Sequence, residues 1–163
     1  MNPELPQLAT RLVDILGREV QWLDMLRTLL LAEQDCLSGI APDALGRLAA
    51  EKNSILSELA ACETSRAELL TQFSVSNVAA AEWLNELSGI PAAAYSTISQ
   101  LWSGILKSTE VVRELNQQNG RIIELSMRHV RGALEVLCCS SPSLYNTSGH
   151  NERLAPSRML GSA

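Results

Sequence analysis

Two histidines, four cysteines and a pair of carboxylates set in an apolar stripe are the residues with reactive side chains. His129 lies in the run RHVRGALEVL. A phosphorelay histidine in a helical bundle carries Leu two residues on, then Lys, then Gly at the fourth position. Here Arg131 is second and Gly132 third. His129 also falls in an apolar seam, whereas a phosphoacceptor ring must be exposed, so a structural or surface histidine is expected. Cys138, Cys139, His129 and His150 do not have the spacing of a zinc ligand set, and no metal or cofactor is expected. There is no CxxC and two cysteines are adjacent, which reads as reduced thiols in a cytoplasmic chain. Acid–base catalysis needs carboxylates converging in a pocket. Glu19 and Glu33 instead stand about two heptads apart on one helix face, as edge residues reaching solvent or as partners of Lys52 and Arg66. No Gly-rich phosphate loop, HExxH or GxSxG is present. The expectation is a binding protein and not an enzyme.

The elements that position these residues are helices. Of 163 residues 46% are hydrophobic but only 4% aromatic, with Leu and Ala dominant, which suits packed helices better than a β-sandwich. The first helix is expected from about Glu4 to Leu37. One heptad stripe follows Leu8, Leu12, Ile15, Trp22, Leu26 and Leu29, interrupted by Glu19 and Glu33; a second follows Ala9, Val13, Leu16, Val20, Leu23 and Leu30. Two apolar stripes side by side make a face that touches two neighbours, as in a bundle. Ser38 to Pro42 form a turn with Gly39 past the helix end. The second helix is expected from Asp43, as N-cap, to Phe73, antiparallel to the first because the turn is short.

A short helix capped by Asn77 is expected over VAAAEWLNEL, and Ser88 to Pro91 break it. The third helix should run from about Ala92 to Cys138, roughly 70 Å if unbroken, with Gly104, Gly120 and Gly132 as places where it could bend. From Ser140 the composition turns to Ser, Pro, Asn and Gly, which reads as a flexible tail. The fold expected is all-α: an antiparallel hairpin plus one long third helix over residues 1–139, with a tail over 140–163.

The net charge of −5 and the lack of a long basic stretch leave no footprint for nucleic-acid binding. The longest apolar run, Leu29 to Ala32, is far short of the ~20 residues of a membrane span. No stable membrane insertion and no signal peptide are expected.

The third helix is asymmetric. Before Gly120 its second stripe is mixed: Trp102, Leu106, Thr109, Arg113 and Asn116. Beyond Gly120 the same stripe is wholly apolar: Ile123, Met127, Val130, Leu134 and Leu137. Only two other long helices exist to cover it, and both are shorter. Uncovered apolar surface invites a partner helix laid along it. Self-association as a homo-oligomer, or a bend at Gly120, would cover the same residues.

Taken in order, LLLAEQDCLSGIAPDALGRLAAEKNSIL, then LNQQNGRII on the long helix, then LYNTSGH in the tail, the chain resembles the FlgN family of flagellar export chaperones. The similarity spans about Leu12 to Gly149 and rests on Leu115, Asn116, Asn119 and Gly120 with the tail Tyr145 to Gly149. The resemblance implies a chaperone that escorts hook-associated proteins, the junction subunits between hook and filament, to the type III export gate. It implies that Leu115, Asn116, Asn119, Ile123, Met127, Val130, Leu134 and Leu137 hold the helical terminus of the cargo. It also implies that Tyr145 docks on the cytoplasmic domain of the gate. Asn116 and Asn119 would set register through hydrogen bonds. Asn119 and Ser126 have a second reading, as polar positions that align helices within the bundle, and a structural adaptor or coiled-coil scaffold would show the same periodicity.

Overall fold

The computed structural model describes residues 5–40, 42–73, 84, 87 and 89–139. Three long α-helices account for most of them: α1 (Leu5–Asp35), α2 (Leu45–Gln72) and α3 (Ala92–Cys139). The fold is all-α, and no strand occurs among the described residues. The chain divides into two compact units, Met1–Ile123 and Glu124–Ala163, and α3 contributes to both. The short helix expected over 78–87 and the tail from 140 lie outside the described residues, except for Leu84 and Leu87.

α1 carries Pro6 in its first turn, where a missing N–H breaks no helical bond. At its end a π-helical turn, Cys36–Ile40, closes on Gly39 at φ 100°, a conformation that suits glycine after a helix. Asp43 does not cap α2 as the sequence suggested. It sits inside a 3-10 turn, Pro42–Ala44, and the cap residue is Ala44, already in helical conformation and without a side-chain cap bond. An N-cap needs an extended backbone before the first turn, and the 3-10 turn removes it. A second positive-φ glycine, Gly89 at 115°, precedes α3. A Cβ there would come within 3.2 Å of Leu5 Cδ1, which a small shift of the leucine tip relieves, so the positive φ is what favours glycine. α3 passes through Gly104, Gly120 and Gly132 as one continuous helix.

In the first unit, Leu8, Leu12 and Leu16 of α1 pack with Leu69 and Leu70 of α2 and with Ile98, Trp102 and Ile105 of α3. At the other end of α1, Leu26, Leu29 and Leu30 pack with Ile55, and Leu48, Val112 and Leu115 lie against them. The pairing makes α2 antiparallel to α1 and α3 parallel to it. The backbones of α1 and α2 approach most closely, as a short hairpin requires.

The stripe carboxylates Glu19 and Glu33 are buried and find the cations of α2. Glu19 Oε1 accepts from Arg66 Nε at 3.2 Å, and the Arg66 guanidinium lies 4.8 Å from the centre of the Trp102 ring. Glu33 pairs with Lys52 at 3.2 Å. These ties fix the sliding register of the hairpin, because a heptad slip would leave both carboxylates buried and unpaired. Glu19 Oε2 has no donor among the described residues. Burial accordingly raises the Glu19 carboxyl above its usual value of 4.5, an effect larger than the lowering by Arg66.

Glu19→Ala strands the guanidinium of Arg66 in the interior and should lower stability by about 3 kcal/mol in urea unfolding. Arg18→Ala removes only the exposed pair Arg18–Glu58, at 3.9 Å, and should cost less than about 1 kcal/mol. The raised Glu19 value also fixes a pH effect. The folded chain holds that proton more tightly than the unfolded chain, so ionising Glu19 costs stability. The cost is absent below 4.5 and is fully present once the pH has passed the raised folded-state value. Measured from pH 4.5 to neutrality, the stability of the Glu19→Gln variant should therefore rise relative to the unaltered chain.

Candidate functional site

Three helices converge on the side chain of Asn119. It is 1% exposed, and its Nδ2 donates to the Leu30 carbonyl at 2.8 Å and to Glu33 Oε2 at 2.9 Å. Lys52 Nζ reaches both Glu33 carboxylate oxygens, at 3.4 and 3.2 Å, and donates to Asn116 Oδ1 at 2.8 Å. Gln34 Nε2 donates to Gln118 Oε1 at 3.5 Å beside them. This polar layer joins α1, α2 and α3 and runs from the buried Asn119 and Glu33 out to the exposed Asn116.

The layer contains two residues of the expected cargo surface, Asn116 and Asn119. Asn119 is enclosed and committed to α1, so the bundle-alignment reading is the one its geometry supports. Leu115 is half-buried against the cluster around Leu26, Leu30 and Ile55. Asn116 is exposed but holds Lys52. Of these three residues only Asn119 is closed off from solvent; Leu115 and Asn116 touch the bundle and keep part of their surface open.

The remaining residues of the expected cargo surface form an open face. Every described side chain from 123 to 138 is exposed. Ile123, Met127, Val130, Leu134 and Leu137 are 44, 58, 57, 55 and 65% exposed and recur at heptad spacing along one side of α3. Leu125 and Val136 add apolar area elsewhere on the same turns. Such a run of large apolar side chains on one helix face has the anatomy of a helix-binding surface.

Among the described residues the reactive side chains are not gathered at one place. His129 is exposed, as a phosphoacceptor ring would be, rather than enclosed in the seam, but Arg131 and Gly132 beside it depart from the phosphorelay motif. Ser126 is exposed as well, and the alignment role suggested for it is not seen. Among the described residues no group of three His, Cys, Asp or Glu side chains could hold a metal ion. Cys36, Cys62 and Cys138 are free thiols, and burial raises the Cys62 thiol, keeping it protonated. No described helix is long and apolar enough to cross a membrane. Tyr145 and His150 lie outside the described residues.

Comparison with known proteins identifies a family. The family model described as FlgN protein matches residues 1–153. The chain belongs to the FlgN family. It is similar to the flagella synthesis protein FlgN of Salmonella typhimurium, strain LT2, at 32% identity over 143 residues, covering 86% of this chain and 89% of that protein. The protein of the same name from Yersinia enterocolitica is 32% identical over 143 residues, covering 86% and 88% of the two chains. No solved structure matches the chain significantly.

Sequence reasoning offered Lys52 and Arg66 as partners of the stripe carboxylates; what it missed in this FlgN-family chain is the second bond of Lys52, to Asn116. A signal existed: Lys52 interrupts the apolar stripe of α2 as Glu33 interrupts that of α1. Asn119→Ala removes both donated bonds and leaves Glu33 and the Leu30 carbonyl short of a partner in the interior. It should cost about 1–3 kcal/mol in chemical denaturation. Val130→Asp with Leu134→Asp changes only positions that are exposed in the single chain and should leave helicity by circular dichroism intact.

Proposed function

We propose that this chain is a flagellar export chaperone that covers the amphipathic terminal helix of a hook-associated protein. It keeps that subunit from assembling early and delivers it to the type III export gate. The observation that carries the reading is the exposed stripe Ile123, Met127, Val130, Leu134 and Leu137 on α3. Membership of the FlgN family, and the name flagella synthesis protein borne by the relatives, supply the flagellar setting. A cargo helix laid along the stripe would bury apolar area on both partners at once, the helix-in-groove mode of recognition. Asn119 and its network contribute by holding α3 in place. Tyr145 in the tail is the proposed contact with the cytoplasmic domain of the gate.

Affinity from a single stripe on one helix is adjustable. Release at the gate is part of the task, and an enclosed groove would oppose it. No catalytic step is needed.

The test is binding of the purified chain to the C-terminal segment of a hook-associated protein, followed by calorimetry or co-purification. Val130→Asp with Leu134→Asp should abolish binding; unchanged binding would place the cargo elsewhere. Deleting the chain from Ser140 onward should spare cargo binding and weaken docking on the gate domain. Loss of cargo binding on that deletion would reverse the two assignments.

A further inference from the structure

The charges beside the exposed stripe are arranged to be self-complementary. In heptad terms Met127 and Leu134 take one core position of α3 and Ile123, Val130 and Leu137 the other. The position that follows the second core residue is then held by Glu124 and Arg131 in successive heptads. The position on the opposite flank is held by Ser126 and Ala133, which are small and uncharged. All of these side chains are exposed.

Two identical helices can pack along such a stripe in two directions. In a parallel pair each flank meets the opposite flank of its neighbour, so Glu124 and Arg131 would face Ser126 and Ala133 and gain nothing. In an antiparallel pair each flank meets its own copy. When Met127 faces Val130 of the second copy and Ile123 faces Leu134, Glu124 stands opposite Arg131, and the pair occurs twice by symmetry. The small flank closes on itself without a steric obstacle. Such an arrangement is a closed two-fold interface, with one patch serving both subunits.

We infer that a second copy of this chain covers the stripe: free chains associate as an antiparallel dimer through residues 123–134 of α3, registered by the reciprocal ion pairs Glu124–Arg131. The inference does not depend on the cargo reading. If a cargo helix uses the same side chains, dimer and cargo complex exclude one another.

The experiment is sedimentation velocity on the full chain under reducing conditions, since Cys138 is exposed, over about 1 to 100 µM. The unaltered chain should dimerise. Glu124→Arg places like charges opposite each other and should weaken the dimer roughly tenfold or more, as should Arg131→Glu. Joining both changes in one chain should restore it, and mixing the two single variants should give a heterodimer. Because both positions are exposed, circular dichroism should show all three variants folded. A chain monomeric throughout the range would overturn the proposal. So would single variants that dimerise normally, or a double variant as weak as either single one.

Discussion

Asn119 donates to the Leu30 carbonyl and to the Glu33 carboxylate, and Glu33 in turn holds Lys52. An amide and an ion pair in an apolar interior are costly without partners, and here the amide nitrogen and the carboxylate find theirs while Asn119 Oδ1 finds none among the described residues. The layer therefore selects a single alignment of the three helices, where leucine packing alone would accept several heptad shifts at similar energy. The Glu19–Arg66 tie, with the guanidinium against Trp102, acts the same way nearer the start of α1. Polar groups supply the specificity here, and leucines supply most of the attraction.

That constraint also decides which residues of α3 are spent on the fold. Asn119 is the last buried position along the helix; Ile122 is half-buried and everything described beyond it is exposed. The stripe from Ile123 onward thus leaves its apolar side chains exposed. Long, unbranched or γ-branched residues such as Met127, Leu134 and Leu137 suit a binding surface, since they adapt to a partner's surface without backbone change. Membership of the FlgN family gives this division of the helix a context in flagellar biology.

An open stripe brings a solubility problem, and the flanking charges bear on it. Glu124, Arg128, Arg131 and Glu135 carry both signs over three turns, which opposes indiscriminate stacking of apolar faces while allowing a matched one. One surface can in this way be sticky for a correctly charged helix and unattractive to others.

Heptad patterning by itself determined the all-α class, the hairpin turn at Gly39, the approximate ends of α1, α2 and α3, and the apolar stripe beyond Gly120. All of these follow from local periodicity and backbone preference, which the order of residues states directly. The pattern also showed which polar residues interrupt the stripes. It did not say what those interruptions do. Whether Glu19 reaches solvent or Arg66, whether Asn119 faces a partner or Leu30, and whether His129 is enclosed or open depend on how deep each seam position lies. Depth is a property of three helices together: the same heptad position is interior where two neighbours flank it and surface where none does. Only the tertiary structure decided that Leu115 and Asn119 belong to the bundle while Ile123 to Leu137 face outward.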